Sequence, residues 1–114
     1  MVSVIFEVTP QPEHRDGYLS WAAELKEELL KMEGFISIER FQSLTDPGKI
    51  LSLQFWRDDA CLTAWRNLDA HRAAQLAGRT TMFKDYRLRI AEVTRDYGLE
   101  AREEAPKDSR AAHG

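Results

Sequence analysis

Residues 55–79 read FWRDDACLTAWRNLDAHRAAQLAGR, and in them strand-like sequence gives way to helical sequence. Two aspartates, Asp58 and Asp59, follow an apolar run and can cap the free N–H groups of a helix that begins near Ala60. Steps of three and four residues then predict one helical face, broken near Asn67 and ended by a glycine, made of Leu62, Trp65, Leu68, His71, Ala74, Gln75 and Gly78. A large flat ring and a titratable group therefore lie on one side of this stretch.

This face allows two interpretations. In the structural one, Trp65 and Leu68 pack the helix onto a sheet, His71 is a hydrogen-bonded histidine at the helix edge, and Asn67 caps the break. In the functional one, Trp65, Asn67, His71 and Gln75 line a cavity between helix and sheet, where an apolar wall with few polar groups orients a flat ligand.

The segments before this stretch predict a strand and a long helix. Residues 2–9 alternate β-branched and aromatic side chains with others, which is typical of a strand, and Pro10 and Pro12 end it. From Glu13 an apolar stripe at helical spacing follows, and Gly34 is expected to cap its C-terminal end; the stripe comprises Tyr18, Trp21, Ala22, Leu25, Leu29 and Met32.

Two strand-like runs, residues 35–44 and 49–56, flank the turn residues Asp46, Pro47 and Gly48 and predict a hairpin, and a fourth strand is expected in the middle of residues 82–97. The resulting order, βαββαβ, predicts an α+β fold of the ferredoxin-like class, with two helices on one face of an antiparallel sheet. After Gly98 the chain loses aromatic residues and periodicity. We therefore expect one domain over residues 1–98 and a flexible tail over residues 99–114.

The sheet has a second face that the helices do not cover. Whichever set of side chains points toward the helices, the other set includes Ile5, Phe41, Ile50 or Trp56 among polar residues. Pairing two copies face to face buries such a surface, so we predict a homodimer.

Composition narrows the class of protein. No apolar run approaches the roughly 20 residues of a membrane helix, and no secretory signal is seen at the N-terminus, so we expect a cytoplasmic protein without a membrane partner. The net charge of −3, with both signs interleaved, disfavours nucleic-acid binding. The single cysteine, Cys61, allows no internal disulfide or cysteine-based metal site and is expected to be a small buried apolar residue.

Several short motifs occur in a familiar order. They are Gly34–Phe35, Glu39–Phe41, Phe55–Trp56, and AWRN at 64–67 followed by His71 and Gly78–Arg79. Over residues 2–98 the chain resembles the antibiotic biosynthesis monooxygenase (ABM) superfamily. The resemblance implies a dimeric α/β barrel of two ferredoxin-like protomers, each with a pocket between sheet and helices.

Members of the superfamily include cofactor-free oxygenases, haem-degrading enzymes and proteins without established activity. In the haem-degrading branch a tryptophan, matched by Trp65, is followed ten residues later by a histidine, but this chain has Gln75 there. The strand-one asparagine of that branch is also missing from the region of Phe6, Glu7 and Val8. His71 lies about 6 Å away along a helix, too far for the same ligation geometry. Haem bound through His71 is therefore the third candidate.

Cofactor-free oxygenation needs a base, anion-stabilising donors and an apolar wall. His71 is the predicted base, and Asn67 and Arg79 are the predicted oxyanion donors, although Arg79 can equally be a surface residue. The predicted substrate-binding residues are Trp56, Trp65, Gln75, Phe83 and Tyr86. Tyr86, with Arg87 and Arg89, can alternatively belong to the dimer interface.

The leading prediction is a cofactor-independent monooxygenase that acts with O2 on a small aromatic substrate of the phenol, quinol or anthrone type, without metal or cofactor. The alternatives are a non-catalytic dimer that binds a small molecule or responds to stress, and a haem-binding or haem-degrading protein.

Overall fold

The computed structural model describes residues 1–68, 72–73, 75–76 and 81–114. They contain an antiparallel four-stranded sheet in the order β2-β3-β1-β4. The elements are β1 (Val2–Pro10), a 3-10 turn (Pro12–His14), α1 (Arg15–Leu29), β2 (Phe35–Gln42), β3 (Ile50–Trp56), α2 (Asp59–Arg66), β4 (Phe83–Glu92) and α3 (Lys107–His113). This order confirms the predicted α+β, ferredoxin-like class. No helix among the described residues is long and apolar enough to cross a membrane.

The central strand is β1, which pairs with β3 and β4. Val4 lies opposite Gln54 on one side and Ile90 on the other, so both backbone edges of β1 are hydrogen-bonded. The alternation seen in the sequence places Val2, Val4 and Val8 toward the helices, where each is at most 6% exposed. The register with β4 shifts between Thr9 and Pro10, which lies opposite Phe83, and β1 ends at this proline, which lacks a backbone donor.

Helix α1 ends at Leu29, so the predicted cap at Gly34 is wrong. The chain instead leaves the helix through tight turns, in which Lys31 N–H donates to Glu28 O and Met32 N–H donates to Leu29 O. Gly34 has another role, since its φ is +79° and an added Cβ would lie 2.5 Å from Cys61 Sγ. Only glycine fits both this backbone conformation and this close approach between the loop and α2.

Strand β2 ends at Gln42, two residues before the predicted boundary at Leu44. The Gln42 side chain explains this end, because its Nε2 donates to carbonyl oxygens of the following turn at 2.9–3.3 Å. The acceptors belong to Ser43, Asp46, Pro47 and Lys49. The turn therefore closes around one side chain, and the predicted hairpin around Asp46–Gly48 is confirmed.

The core lies between the sheet and the two helices and divides into two clusters. One joins β1, α1, β3 and α2 and contains Val2, Val4, Leu29, Trp56, Cys61, Leu62 and Trp65. The other lies toward the opposite end of β1 and contains Val8, Tyr18 and Ile50. The charged face of α1, including Glu24, Glu27 and Glu28, is exposed as expected.

The face of the sheet away from the helices, here called the open face, keeps an apolar stripe. Ile5 lies opposite Leu53, and Leu51 lies opposite Phe41, which is 42% exposed. Ile50 and Trp56 instead point to the helices and are at most 3% exposed. The open face is therefore formed from the Ile5 and Phe41 set of side chains. Dimerisation through it remains a proposal.

After Gly98, where the sequence predicts a flexible tail, the structure contains α3 and a local network around Arg102. The Arg102 guanidinium donates to Gly114 O and Ser109 Oγ, each at 2.7 Å, and to Gly98 O at 3.1 Å. It also lies 5.3 Å from the centre of the Tyr97 ring. The flexibility of this segment in solution and the domain boundary at Gly98 stay predictions.

Candidate functional site

A cavity of about 350 Å³ lies between the sheet and helices α1 and α2. This volume is in the lower part of the range of roughly 300–1,000 Å³ for small-molecule sites. Its wall is mostly apolar and aromatic, with a few polar groups. The described lining residues are Val4, Phe6, Tyr18, Trp21, Ala22, Leu25, Leu29, Arg40, Ser52, Gln54, Leu62, Trp65, Arg66, Gln75, Met82, Phe83, Tyr86, Leu88 and Ile90.

Helix α1 supplies one wall through Tyr18, Trp21 and Leu25. The steps of three and four residues between them place all three side chains on the same helical face. The apolar stripe predicted for α1 is confirmed for its five members within the helix, all of which line the cavity, whereas Met32 lies beyond the helix end at Leu29.

Helix α2 supplies Trp65, which is 2% exposed. Asp58 fixes the start of this helix as predicted, because its Oδ1 accepts a hydrogen bond from Cys61 N–H at 2.9 Å. Hydrogen bonds from Cys61 and from Arg57 lower the pKa of the Asp58 carboxyl to about 2. The carboxylate is thus ionised at neutral pH, and its negative charge interacts favourably with the positive, N-terminal end of the helix dipole.

Cys61 is buried at the N-terminal end of α2, as expected for a small apolar residue. The hydrogen bond with Asp58 and burial raise the pKa of the thiol, although the nearby Arg57 opposes this. Cys61 does not line the cavity. Its neutral thiol therefore packs against Gly34 and is poorly suited to be a nucleophile.

Four of the five predicted substrate-binding residues line the cavity, namely Trp65, Gln75, Phe83 and Tyr86. Phe83 is the centre of an aromatic cluster at one end, with ring centroids 5.5–5.9 Å from those of Phe6, Tyr18 and Tyr86. Tilted and edge-on rings at these distances pack favourably. These positions agree with the predicted substrate wall, while their part in binding remains a prediction.

Trp56 and Asn67 lie elsewhere. Trp56 is fully buried, packs edge-on against Phe35 with centroids 5.3 Å apart, and donates from Nε1 to Gln54 Oε1 at 2.8 Å. Asn67 is exposed at the end of α2, where its Oδ1 accepts a hydrogen bond from Arg72. Neither lines the cavity in this arrangement. Trp56 thus has a core position, and Asn67 ends the helix, as the structural interpretation predicted for it.

The predicted base His71 and the predicted donor Arg79 lie outside the described residues, as do Ala74 and Gly78 of the predicted helical face. Arg72, Ala73, Gln75 and Leu76 are helical. The catalytic roles of His71 and Arg79 therefore stay predictions from the sequence.

The contribution of β2 to the site was not predicted from the sequence. Arg40 lies opposite Ser52 in the sheet, and both side chains line the cavity. A charged residue at an inward strand position is a usable signal, since buried charge needs a partner. The signal was ambiguous here because the adjacent Glu39 places a charge on the opposite face as well.

The model of the family "Antibiotic biosynthesis monooxygenase" matches residues 1–77. This chain belongs to the antibiotic biosynthesis monooxygenase family. The chain is 48% identical over 94 residues to the "Jasmonate monooxygenase ABM" of Pyricularia oryzae, which covers 82% of this chain and 44% of that protein. The chain therefore spans less than half the length of this relative.

Two more distant matches extend the comparison. The chain is 26% identical over 93 residues to the uncharacterised protein YqjZ of Bacillus subtilis, covering 82% of this chain and 79% of that protein. A candidate antibiotic biosynthesis monooxygenase from Deinococcus radiodurans superposes with a TM-score of 0.77 at 15% identity, over 86% of this chain and 97% of that one. This structural similarity supports the ABM fold alone.

One lining residue bears on the haem alternative. Gln75, which stands where the haem-degrading branch has its histidine, lines the cavity. A carboxamide is not among the usual axial ligands of haem, which are histidine, cysteine, methionine and tyrosine. The described lining residues include no histidine or cysteine. His71, through which the third candidate would bind haem, lies outside the described residues, so this alternative stays a prediction from the sequence.

Proposed function

We propose that this protein is a cofactor-independent monooxygenase that oxidises a small aromatic substrate with O2 in the cavity beside Trp65. The observation that carries the proposal is an aromatic and apolar cavity of about 350 Å³ in a chain of the ABM family. Such a wall binds a flat ring and limits the access of water to an electron-rich intermediate.

The chemistry requires a base. In the proposal His71 removes a proton from the substrate, because a histidine titrates near neutral pH. For an anthrone, the resulting carbanion reduces O2, one oxygen atom becomes the new carbonyl, and the other leaves as water. The balance is anthrone plus O2 to anthraquinone plus water, so the substrate itself supplies the electrons.

The proposed active form is a cytoplasmic homodimer. The support is the open face, whose half-buried Ile5, Leu51, Leu53 and Phe55 lie beside the more exposed Phe41. A second copy would remove this stripe from water, in the twofold arrangement most common among homo-oligomers.

A jasmonate-type substrate is a second candidate, favoured by the 48% identity to the relative named as a jasmonate monooxygenase. Jasmonate is a cyclopentanone with a carboxylate side chain, not an aromatic molecule. Hydroxylation of one of its C–H bonds by O2 consumes two further electrons and two protons. This candidate therefore needs an added reductant such as a reduced nicotinamide or flavin, whereas the anthrone reaction does not.

Oxygen uptake and product formation distinguish these possibilities. The parent protein is expected to convert anthrone to anthraquinone with one O2 consumed per product and no added cofactor. The variant His71→Ala should lower kcat by ~10²- to 10⁴-fold with little change in the free energy of unfolding. His14→Ala is the matched control, because His14 does not line the cavity and its removal should leave kcat unchanged.

Equal turnover by His71→Ala and parent would show that His71 is not the base. Jasmonate turnover that depends on added reductant, without anthrone oxidation, would favour the second candidate. Ligand binding without turnover of either substrate would indicate a non-catalytic binding protein.

A further inference from the structure

Arg40 is the one described residue with a buried side-chain nitrogen or oxygen that lacks a hydrogen-bond partner. The atom is Nε, and the side chain as a whole is half-buried on β2. Arg40 lines the cavity, and its partner across the sheet, Ser52, is 3% exposed. A partly buried guanidinium charge that is not fully compensated is costly, so an anionic ligand in contact with the part of Arg40 that lines the cavity would lower this cost.

The charged side chains around the cavity indicate the charge of that ligand. The charged residues among the described lining are Arg40 and Arg66, and that part of the wall contains no aspartate or glutamate. The nearby carboxylate of Glu7 belongs to the open face, where it pairs with Arg89 Nη1 at 3.5 Å. Strand alternation thus separates Arg40 from this acid, and the described wall is net positive.

Tyr18 adds a second donor close to Arg40. Its side chain is 8% exposed, and burial raises the pKa of the hydroxyl, an effect that the charge and hydrogen bonding of Arg40 partly offset. The net shift is upward, so the hydroxyl is protonated at neutral pH and can donate a hydrogen bond. An arginine fork beside a neutral hydroxyl is well suited to a carboxylate.

We propose that Arg40 and Tyr18 form a carboxylate-binding subsite, and that the preferred ligand of this cavity is a monocarboxylate with an apolar body, for which anthrone, having no carboxylate, is a model of the oxidised ring only. Its carbon skeleton would lie against Trp21, Leu25 and Trp65, and its carboxylate would accept hydrogen bonds from Arg40 and Tyr18. This inference rests on the proposed function in one respect, namely that the same cavity holds the substrate.

Two pairs of probes test the charge without a large change in shape. They are jasmonic acid with methyl jasmonate, and 2-naphthoic acid with methyl 2-naphthoate. Titration calorimetry at pH 7.5, where both acids are ionised, should show at least one acid binding the parent roughly 10- to 100-fold more tightly than its ester.

The variant Arg40→Met keeps a long side chain without the charge, and should lose that preference because the acid alone binds more weakly. Arg95→Met is the matched control, since Arg95 is exposed beyond the end of β4 and does not line the cavity, and it should keep the preference. Tyr18→Phe removes the hydroxyl alone and should weaken acid binding by a smaller factor. Circular dichroism checks that each variant is folded, and the comparison of acid and ester in the parent does not depend on any variant.

Equal binding of acid and ester by the parent would overturn the carboxylate subsite but leave the proposed function standing. The same conclusion would follow if folded Arg40→Met kept the preference, or if Arg95→Met lost it to the same extent. Failure of both acids and both esters to bind would overturn the subsite together with the proposed cavity function.

Discussion

The two faces of the sheet differ in how their apolar side chains are covered. On the helix-covered face, Trp56 and Trp65 are at most 2% exposed, because α1 and α2 close over them. On the open face, Phe41 is 42% exposed, although it lies on β2, in the same hairpin as Trp56. Similar residue types therefore have different roles. Those on the covered face stabilise the protomer and shape the cavity, and those on the open face are available to a second copy.

The largest effect is expected at the covered face. Trp65→Ala should lower the free energy of unfolding by about 3–5 kcal/mol, since it removes a buried indole and leaves a cavity. Urea denaturation measures this loss. Trp21→Ala is the matched control, because Trp21 is only half-buried, and it should cost less. If the two variants lost the same free energy of unfolding, the deeper burial of Trp65 would contribute no more to stability than the partial burial of Trp21.

A substitution on the open face is expected to change the association of two copies rather than the stability of one. Leu53→Glu places a charge in the centre of the apolar stripe and should weaken the proposed dimer by about 2 kcal/mol or more, which is at least ~30-fold in Kd. Light scattering over a dilution series measures this change. Leu44→Glu is the control, because Leu44 is 100% exposed in the β2–β3 turn. A parent protein with a monomer mass of about 13 kDa at micromolar concentration would contradict the proposed dimer.

The smallest effect is expected from the cap of α2. The folded pKa of Asp58 is about 2, below its ordinary value of 3.8, so the folded state binds this proton more weakly than the unfolded state does. The ionised cap therefore stabilises the fold above about pH 4, and this contribution is lost as the pH falls through about 2.

Asp58→Asn should accordingly be less stable than the parent at pH 7, and the difference should shrink between about pH 4 and pH 2. Urea unfolding at several pH values measures it, with Asp59→Asn as the control for loss of a first-turn charge. A difference between Asp58→Asn and the parent that stays constant down to pH 2 would argue against a charge-dependent cap.

The order of elements could be predicted because each has a local cause. The β-branched alternation of residues 2–9 favours a strand, and Asp58 is a local acceptor for the N–H groups of α2. The end of α1 could not be found in the same way. Its apolar spacing continues to Met32, while the chain turns after Leu29 to bring Gly34 against Cys61, a contact between segments distant in sequence.

Candidate site residues were predicted with mixed success for a similar reason. Trp56 and Trp65 have the same side chain, yet Trp56 is closed off in the core, where Phe35 packs against it, and Trp65 borders the cavity. Spacing along a helix or strand identifies a face but not what that face meets. The sequence could therefore identify Gln75, Phe83 and Tyr86 as site candidates while missing Tyr18 and Arg40.

The sequence by itself determined the four strands, the helices α1 and α2 and their order, since these depend on periodicity, turn residues and capping within a few positions. Only the tertiary structure decided which side of each strand is covered. Both sides carry apolar residues, and a strand presents them with a period of two in either orientation. Because α1 and α2 pack on one face of the sheet, the cavity forms beside Val4, Arg40 and Ser52. Ile5, Phe41 and Leu53 remain on the open face.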